Sequence, residues 1–290
     1  GQGISAWSVD ASAMFCSVFR ILTRWTQQVE KAYVLTDSYK PDQKFIEEVT
    51  KGFAAVPEVA MNGTTDFVMY DAHQNQFTQK IEKYYWEKMG VSKDFIDMYY
   101  SFRSKYTILA DCVIGKAQYQ KTSGEPGTLT NNGLVAKVIT NYVVRGKGPV
   151  CFIYKGDDGN KRQCDLKVDD KRFDEIKGAC SLDMRVKIGK GAEFCGLAVV
   201  GKYIVPSLFR KLNKIIAHRF RDYAHFCEYQ ASLRDYINQW TEYGRENVVA
   251  CNAELYNSTR EEVDAVWDCI DSFSHIDKTT FDQHFPQREE

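Results

Sequence analysis

Acidic residues at two places in this 290-residue chain hold most of its chemical potential. Gly156-Asp157-Asp158 sets two adjacent carboxylates between Lys155 and Gly159-Asn160. The preceding run, Val150-Cys151-Phe152-Ile153-Tyr154, reads as a core strand, and a second strand continues to about Leu166, so the acids stand at a hairpin tip. A tip anchored in a core is held rigidly, and rigid paired oxygens are what a hard cation such as magnesium needs. Asp and Gly also suit ordinary surface turns, so the triplet alone decides nothing. Asp66 lies in the strand-forming stretch Thr64 to Tyr70, directly before Phe67-Val68-Met69-Tyr70. A carboxylate beside such a run is costly unless it is paired, exposed at an edge or bound to metal. With the hairpin acids, a shared site is the economical reading. Carboxylates on neighbouring strands clamp two metals about 4 Å apart in nucleotidyl-transfer chemistry.

Asp71 lies five residues beyond Asp66, an odd offset that turns it away from the metal face of an extended strand. It is placed to read something beside the metals. Ser123-Gly124-x3-Thr128-x3-Asn132 spans a loop and the first turns of a helix, and Thr128 and Asn132, four apart, share a face. Their hydroxyl and amide suit a ribose hydroxyl, which would separate RNA from DNA precursors. Loop closure and helix capping are the plain alternative.

The elements that must position these residues follow from periodicity and breakers. Residues 5–33 read as a helix that ends before Lys40-Pro41-Asp42. Phe77, Ile81, Tyr84, Tyr85 and Met89 recur at helical spacing up to Gly90, and Ser92 caps a second helix to about Lys105. Leu134, Val135, Val138, Ile139 and Tyr142 mark a helix ending by Gly146, 168–178 a surface helix, and Arg185 to Val205 strands. Beyond Pro206 the pattern is almost wholly helical. The expected class is α+β, an antiparallel sheet with flanking helices followed by a helical domain, with the boundary near Pro206.

Composition is that of an ordinary globular chain, with 44% hydrophobic and 27% charged residues, and no run reaches the roughly 18 apolar residues of a membrane-spanning helix. Nine cysteines without a CxxC pair read as free, buried thiols in a reducing compartment, and His225 with Cys227 lacks the second ligand pair of a structural zinc. The net charge of −1 hides an asymmetry: Lys202, Arg210, Lys211, Lys214, Arg219 and Arg221 fall in a stretch with no acids, and fifteen acids follow it. Such a basic stripe can hold a phosphate backbone or be a solvated helix face. Gly1 stands where an initiator Met would, and the chain reads as a piece of something longer.

Asp66-x4-Asp71, Ser123-Gly124-x3-Thr128-x3-Asn132 and Gly156-Asp157-Asp158 resemble motifs A, B and C of positive-strand RNA virus polymerases, in that order, with intervals of 57 (123 − 66) and 33 (156 − 123) residues. The wording is similar to the alphavirus-like supergroup, and within it to the hepatitis E virus replicase: Gly1-Gln2-Gly3-Ile4-Ser5-Ala6-Trp7-Ser8, Gln74-Asn75, Ser123-Gly124-Glu125-Pro126-Gly127-Thr128 and Lys155-Gly156-Asp157-Asp158 all match it. The likeness weakens after about residue 215.

This resemblance implies a right-hand polymerase: a remnant of the fingers with N-terminal palm helices over 1–60, a palm with motifs A to E over 61–205, and a helical thumb over 206–290, most of the fingers being absent. It implies Asp66 and Asp157 as metal ligands supported by Asp158, with Mg2+ as cofactor and Mn2+ as a substitute. Asp71 and Asn132 would select the ribose. Ser123 and Gly124 would form a mobile loop that tracks template and nucleotide. Phe194-Cys195-Gly196-Leu197-Ala198-Val199 looks like motif E, with the basic stripe meeting product RNA. Arg185, Lys187 and Lys190 compete as general acid for the departing pyrophosphate, and Lys187 is favoured. Implied partners are template and nascent RNA, NTPs, and the helicase and capping domains of a replicase polyprotein; the implied location is host cytoplasm near membranes. The basic fingers motif would lie upstream of Gly1. Against this stand a polymerase-like RNA-binding scaffold without catalysis, disfavoured by the intact acids, and a reverse transcriptase, disfavoured by Asn132 and the Ser123-Gly124-x3-Thr128 loop.

Overall fold

The structure is a computed structural model that describes residues 7–38, 42–105, 107–110, 113–116, 119–122, 124–241 and 243–285. Its packing divides the chain into two units, 1–189 and 190–290.

The first unit is built on a five-stranded sheet of order β1-β5-β6-β2-β7: β1 (Val34–Thr36), β2 (Met61–Val68), β5 (Val144–Lys155), β6 (Asp158–Val168) and β7 (Asp183–Gly189). Three of its four pairings are antiparallel, as expected. The fourth, β1 with β5, is parallel, with Thr36 opposite Tyr154. A separate hairpin joins β3 (Thr107–Ala110) and β4 (Val113–Lys116). Helices α1 (Val9–Val29), α2 (Asp42–Ala54), α3 (Gln76–Lys88), α4 (Lys93–Arg103), α5 (Thr128–Val143) and α6 (Asp170–Ala179) complete the unit.

Helix α5 is the central one. Val135, Ala136, Ile139 and Val143 pack with Phe67 of β2, Met184 of β7 and Ile176 of α6 in one buried cluster. The alternation of β2 follows from this. Thr65 and Phe67 turn inward, and the Thr65 hydroxyl lies 3.1 Å from that of Thr140 on α5. Asn62, Thr64 and Asp66 point to the other face. A second cluster joins Phe15, Phe19 and Leu22 of α1 to Trp86 of α3 and to Ile96, Tyr99 and Tyr100 of α4. Ser8 and Ser92 cap α1 and α4 through their hydroxyls, which accept from the Ala11 and Phe95 amides.

The second unit contains a three-stranded meander, β8 (Gly191–Phe194), β9 (Leu197–Val200) and β10 (Tyr203–Pro206), and helices α7 (Leu208–Ala217), α8 (Tyr223–Thr241), α9 (Arg245–Tyr256), α10 (Arg260–Phe273) and α11 (Lys278–His284). Ala198, Val200 and Val205 share one core with Leu208, Leu233, Trp240, Val248, Trp267 and Ile270. The meander packs with the helices that follow it, so the packing division falls before the Pro206 boundary read from the sequence. Buried Asn252 joins the parts: its Oδ1 accepts from the Leu208 amide, and its Nδ2 donates to the Pro206 and Val248 carbonyls.

Two expectations need correction. Tyr84, placed on the apolar face of α3, is exposed, and the buried face is instead Thr78, Glu82 and Trp86. Cys16 and Cys269 are exposed rather than buried, while Cys151, Cys180 and Cys251 are buried; Cys112 lies outside the described residues. No described helix is long and apolar enough to cross a membrane.

Candidate active site

The hairpin expected around Asp157 and Asp158 is present. Strand β5 ends at Lys155, opposite Asp158, the first residue of β6, which leaves Gly156 and Asp157 as a two-residue turn. Gly156 has φ +60°, the conformation that a tight turn with glycine in its first position requires. Three contacts hold the turn. The Asp37 amide donates to the Tyr154 carbonyl, and Lys155 Nζ lies 2.7 Å from Asp37 Oδ2. On the other side, α5 comes so close at Gly133 that a Cβ there would stand 3.3 Å from the Gly156 carbonyl oxygen.

Asp66 comes to the same end of the sheet. Strand β2 lies between β6 and β7, so Asp66 is not on an edge strand, though its side chain is exposed. Thr64 pairs with Asn160 and Thr65 with Gly159, and one further step in that register sets Asp66 beside Asp158. The carboxylates act on one another. The half-buried Asp157 carboxyl is raised above the usual carboxylate range, first by burial and then by the negative charges of Asp158, Asp71 and Asp66. Among the described residues, no three His, Cys, Asp or Glu side chains are already gathered as a metal cage.

Asp71 departs from its expected placement. Side-chain parity requires an extended chain, but β2 ends at Val68 and Met69 turns at φ +47°. Asp71 therefore lies in a turn, and its charge bears on Asp157. Its Oδ1 accepts from Asn132 Nδ2 at 2.7 Å, which joins the two residues assigned to ribose reading. Thr128 is differently engaged: its hydroxyl lies 2.8 Å from the Glu125 carbonyl and 3.0 Å from that of Thr122, so it ties the loop to α5. Gly124 is half-buried in that loop, and Ser123 lies outside the described residues. On β7, Arg185 stands opposite Asp66 and the exposed Lys187 opposite Thr64, so both share the face of Asp66.

A buried ion network beside the Asp71–Asn132 pair is absent from the sequence reading. Glu82, on α3, accepts from Arg103 Nη1 at 2.5 Å and Tyr100 Oη at 2.8 Å, both on α4, and from Lys121 Nζ at 2.7 Å. The side chains of Glu82, Arg103 and Lys121 are fully buried. Burial pushes the Glu82 carboxyl up, but Arg103 and Lys121 more than offset it and hold the group below the usual range. Burial lowers the Lys121 ammonium, against the pull of Glu82. The signal was available: Thr78, Glu82 and Trp86 are four apart, and Arg103 continues the Ile96, Tyr99, Tyr100 face, so each helix puts one opposite charge on its inner stripe.

In the second unit, Cys195 and Gly196 form the turn between β8 and β9, both with positive φ, as a two-residue hairpin of the primed type requires. Lys202, Arg210, Lys214, Arg219 and Arg221 are exposed, and Lys211 is half-buried with its Nζ 4.4 Å from the Tyr236 ring centre.

The RNA-dependent RNA polymerase family profile matches residues 1–282. The chain belongs to that family. This polymerase-family chain is 39% identical to the replicase of beet necrotic yellow vein virus (isolate Japan/S), over 100% of its own length and 14% of the replicase's. It is 23% identical to the non-structural polyprotein of an avian hepatitis E virus, over 99% of the chain and 18% of the polyprotein. Against that of hepatitis E virus genotype 1 (isolate Human/Pakistan/Sar-55) the identity is 29%, over 74% and 12%. The expected likeness to hepatitis E virus replicase is therefore found, and the plant-virus replicase is more similar still. The chain spans less than a fifth of the length of these relatives. An insertion-loop deletion mutant of the RNA-dependent RNA polymerase of a human picorbirnavirus superposes with TM-score 0.59 at 17% identity, over 98% of this chain and 55% of that one. The fold is accordingly that of a viral RNA-dependent RNA polymerase, α+β with its sheet flanked by helices.

Proposed function

We propose that this chain carries the nucleotidyl-transfer site of a template-directed RNA polymerase, which joins NTPs to an RNA 3′ end in viral genome replication and transcription. The observation that carries the reading is the register that sets Asp66 beside the rigid Gly156-Asp157-Asp158 turn, with the Asp71–Asn132 pair alongside.

Asp66 and Asp157 would hold divalent metal, with Asp158 in support; Mg2+ suits hard carboxylate oxygens, and Mn2+ would replace it. The donor set fits. The carboxylates near Asp157 repel one another, and a divalent cation held by Asp66 and Asp157 would relieve that repulsion. When bound, the metals would activate the attacking hydroxyl and stabilise the leaving pyrophosphate. Asn132 and Asp71 would receive the ribose, with Ser123 and Gly124 in the loop beside it and Thr128 closing that loop. Arg185, opposite Asp66, carries a guanidinium suited to stabilising charge. Lys187, on the same face, is the group able to give a proton to the pyrophosphate.

In this reading the first unit is the palm with its N-terminal helices, and the second supplies the thumb. The β8–β9 hairpin and exposed Arg210, Lys214, Arg219 and Arg221 would then meet product RNA. The parent would be a replicase polyprotein with helicase and capping domains, working near membranes in host cytoplasm. An active polymerase containing this chain is expected to add ribonucleotides to a primed RNA template only when divalent metal is present, with chelation stopping the reaction. Tight RNA binding without any metal-dependent incorporation would make the chain a scaffold and overturn the proposal.

A further inference from the structure

We propose that Lys121 is a positioning residue for ribose selection: its buried ammonium fixes which end of the Asn132 amide faces Asp71. This rests on the ribose-reading role proposed above for Asp71 and Asn132.

A Lys ammonium donates and cannot accept. Lys121 Nζ lies 2.7 Å from Asn132 Oδ1, so the oxygen end of the amide must face it. Gln74 Nε2 donates to the same oxygen at 3.0 Å. The Nδ2 end is thereby committed to Asp71, whose Oδ1 it meets at 2.7 Å. Reversal of the amide would set its NH2 against the ammonium and its oxygen against a carboxylate, two repulsive contacts in a buried place.

Lys121 holds the other partner as well. Its backbone amide donates to the Asp71 carbonyl at 3.1 Å. One residue thus tethers Asp71 through its main chain and Asn132 through its side chain. The Asn132 backbone is also fixed, because Tyr70 Oη donates to its carbonyl at 3.1 Å.

The ammonium itself has to be held. Glu82 Oε1 takes it at 2.7 Å, and the other Glu82 oxygen is braced by Arg103 and Tyr100. The network therefore links α3 and α4, in the packed helical layer, to the polar pair beside the acidic turn. A hydrogen-bond donor aimed without freedom to swing is what discrimination between a ribose hydroxyl and a hydrogen needs. An Asn132 free to rotate would offer its oxygen as often as its nitrogen, and Asp71 would lose its fixed neighbour.

The test compares NTP with 2′-deoxy-NTP incorporation, as kcat and KM separately, in an active polymerase containing this chain. Lys121→Met is expected to raise KM for NTPs and to reduce the NTP preference about tenfold, the factor set by one charge-assisted hydrogen bond, with deoxynucleotide use little changed. In an Asn132→Ala background the same substitution is expected to have no further effect on preference, which a general loss of packing would not reproduce. If Lys121→Met unfolds the protein, the variant read is Lys121→Met with Glu82→Gln, which removes one charge of each sign and leaves Arg103 beside Glu125. A folded variant of either kind that keeps its preference within twofold overturns the assignment. If Asn132→Ala itself keeps full preference, it is the ribose reading of that pair that fails.

Discussion

Gly133→Ala separates the stability of this fold from the geometry of its acidic turn. Gly133 lies inside α5, where glycine costs about 1 kcal/mol relative to alanine, so an ordinary exchange would stabilise the helix. The new Cβ, however, would lie 3.3 Å from the Gly156 carbonyl oxygen and 4.0 Å from its nitrogen. The first distance is a few tenths of an ångström short of relaxed contact, and the turn must move by that amount. The helix gain and the contact cost are similar, so unfolding stability should change by less than about 1 kcal/mol. Asp157 moves with the turn. A misplacement of 1 Å in a catalytic group costs on the order of a hundredfold, so a few tenths should lower kcat roughly three- to tenfold. Urea denaturation and single-nucleotide primer extension read the two effects. Unchanged kcat would refute the claim that α5 sets the position of the turn. A stability loss above about 2 kcal/mol would refute the claim that the turn can yield.

Other consequences concern buried charge. Glu82→Ala leaves the buried Lys121 ammonium without its carboxylate and the buried Arg103 guanidinium with Glu125 alone, 3.5 Å away, and should lower unfolding stability by about 3–5 kcal/mol in denaturant titrations. A loss under about 1 kcal/mol would mean that both cations reach water. On β6, Lys161 is buried with its Nζ 2.7 Å from the Val144 carbonyl, and burial, then Arg145, lowers its pKa to about 8. A lysine lowered in the folded state binds fewer protons there than when unfolded between pH 8 and its ordinary value near 10.5, so stability rises with pH in that window. Between pH 7 and 10 the wild type should gain roughly 2 kcal/mol on Lys161→Met, and parallel pH profiles would contradict the assignment.

What the sequence disclosed depended on how local the determinant was. The Gly156-Asp157-Asp158 hairpin was legible because an apolar run, a turn and a second strand sit within one short segment. Asp66 was legible as a carboxylate misplaced in a strand, though its neighbours β6 and β7 come from nearly a hundred residues or more further along the chain. The backbone at Asp71 was not legible, because side-chain parity holds only while the chain is extended and Met69 breaks it with a positive φ. Strand β1 has three residues, too few for a periodic signal, yet it pins the base of the acidic turn through Asp37. The Glu82–Arg103–Lys121 network was hidden for another reason. Helical spacing puts Glu82 and Arg103 on the inner stripes of their helices, but nothing local marks Lys121, and only the packing of α3 and α4 on the loop before α5 shows that the three meet in the interior.

If Asp66, Asp157 and Asp158 form the metal-dependent centre proposed above, Asp157→Asn should expose it most directly. The substitution keeps the size of the side chain and removes the charge that burial and neighbouring acids oppose, so the folded state should be retained or slightly stabilised. Primer extension by an active polymerase containing this chain should then fall at least about a thousandfold at saturating Mg2+, with an unfolding midpoint at or above that of the wild type. Extension within a few-fold of the wild type, in a protein that folds normally, would contradict the account.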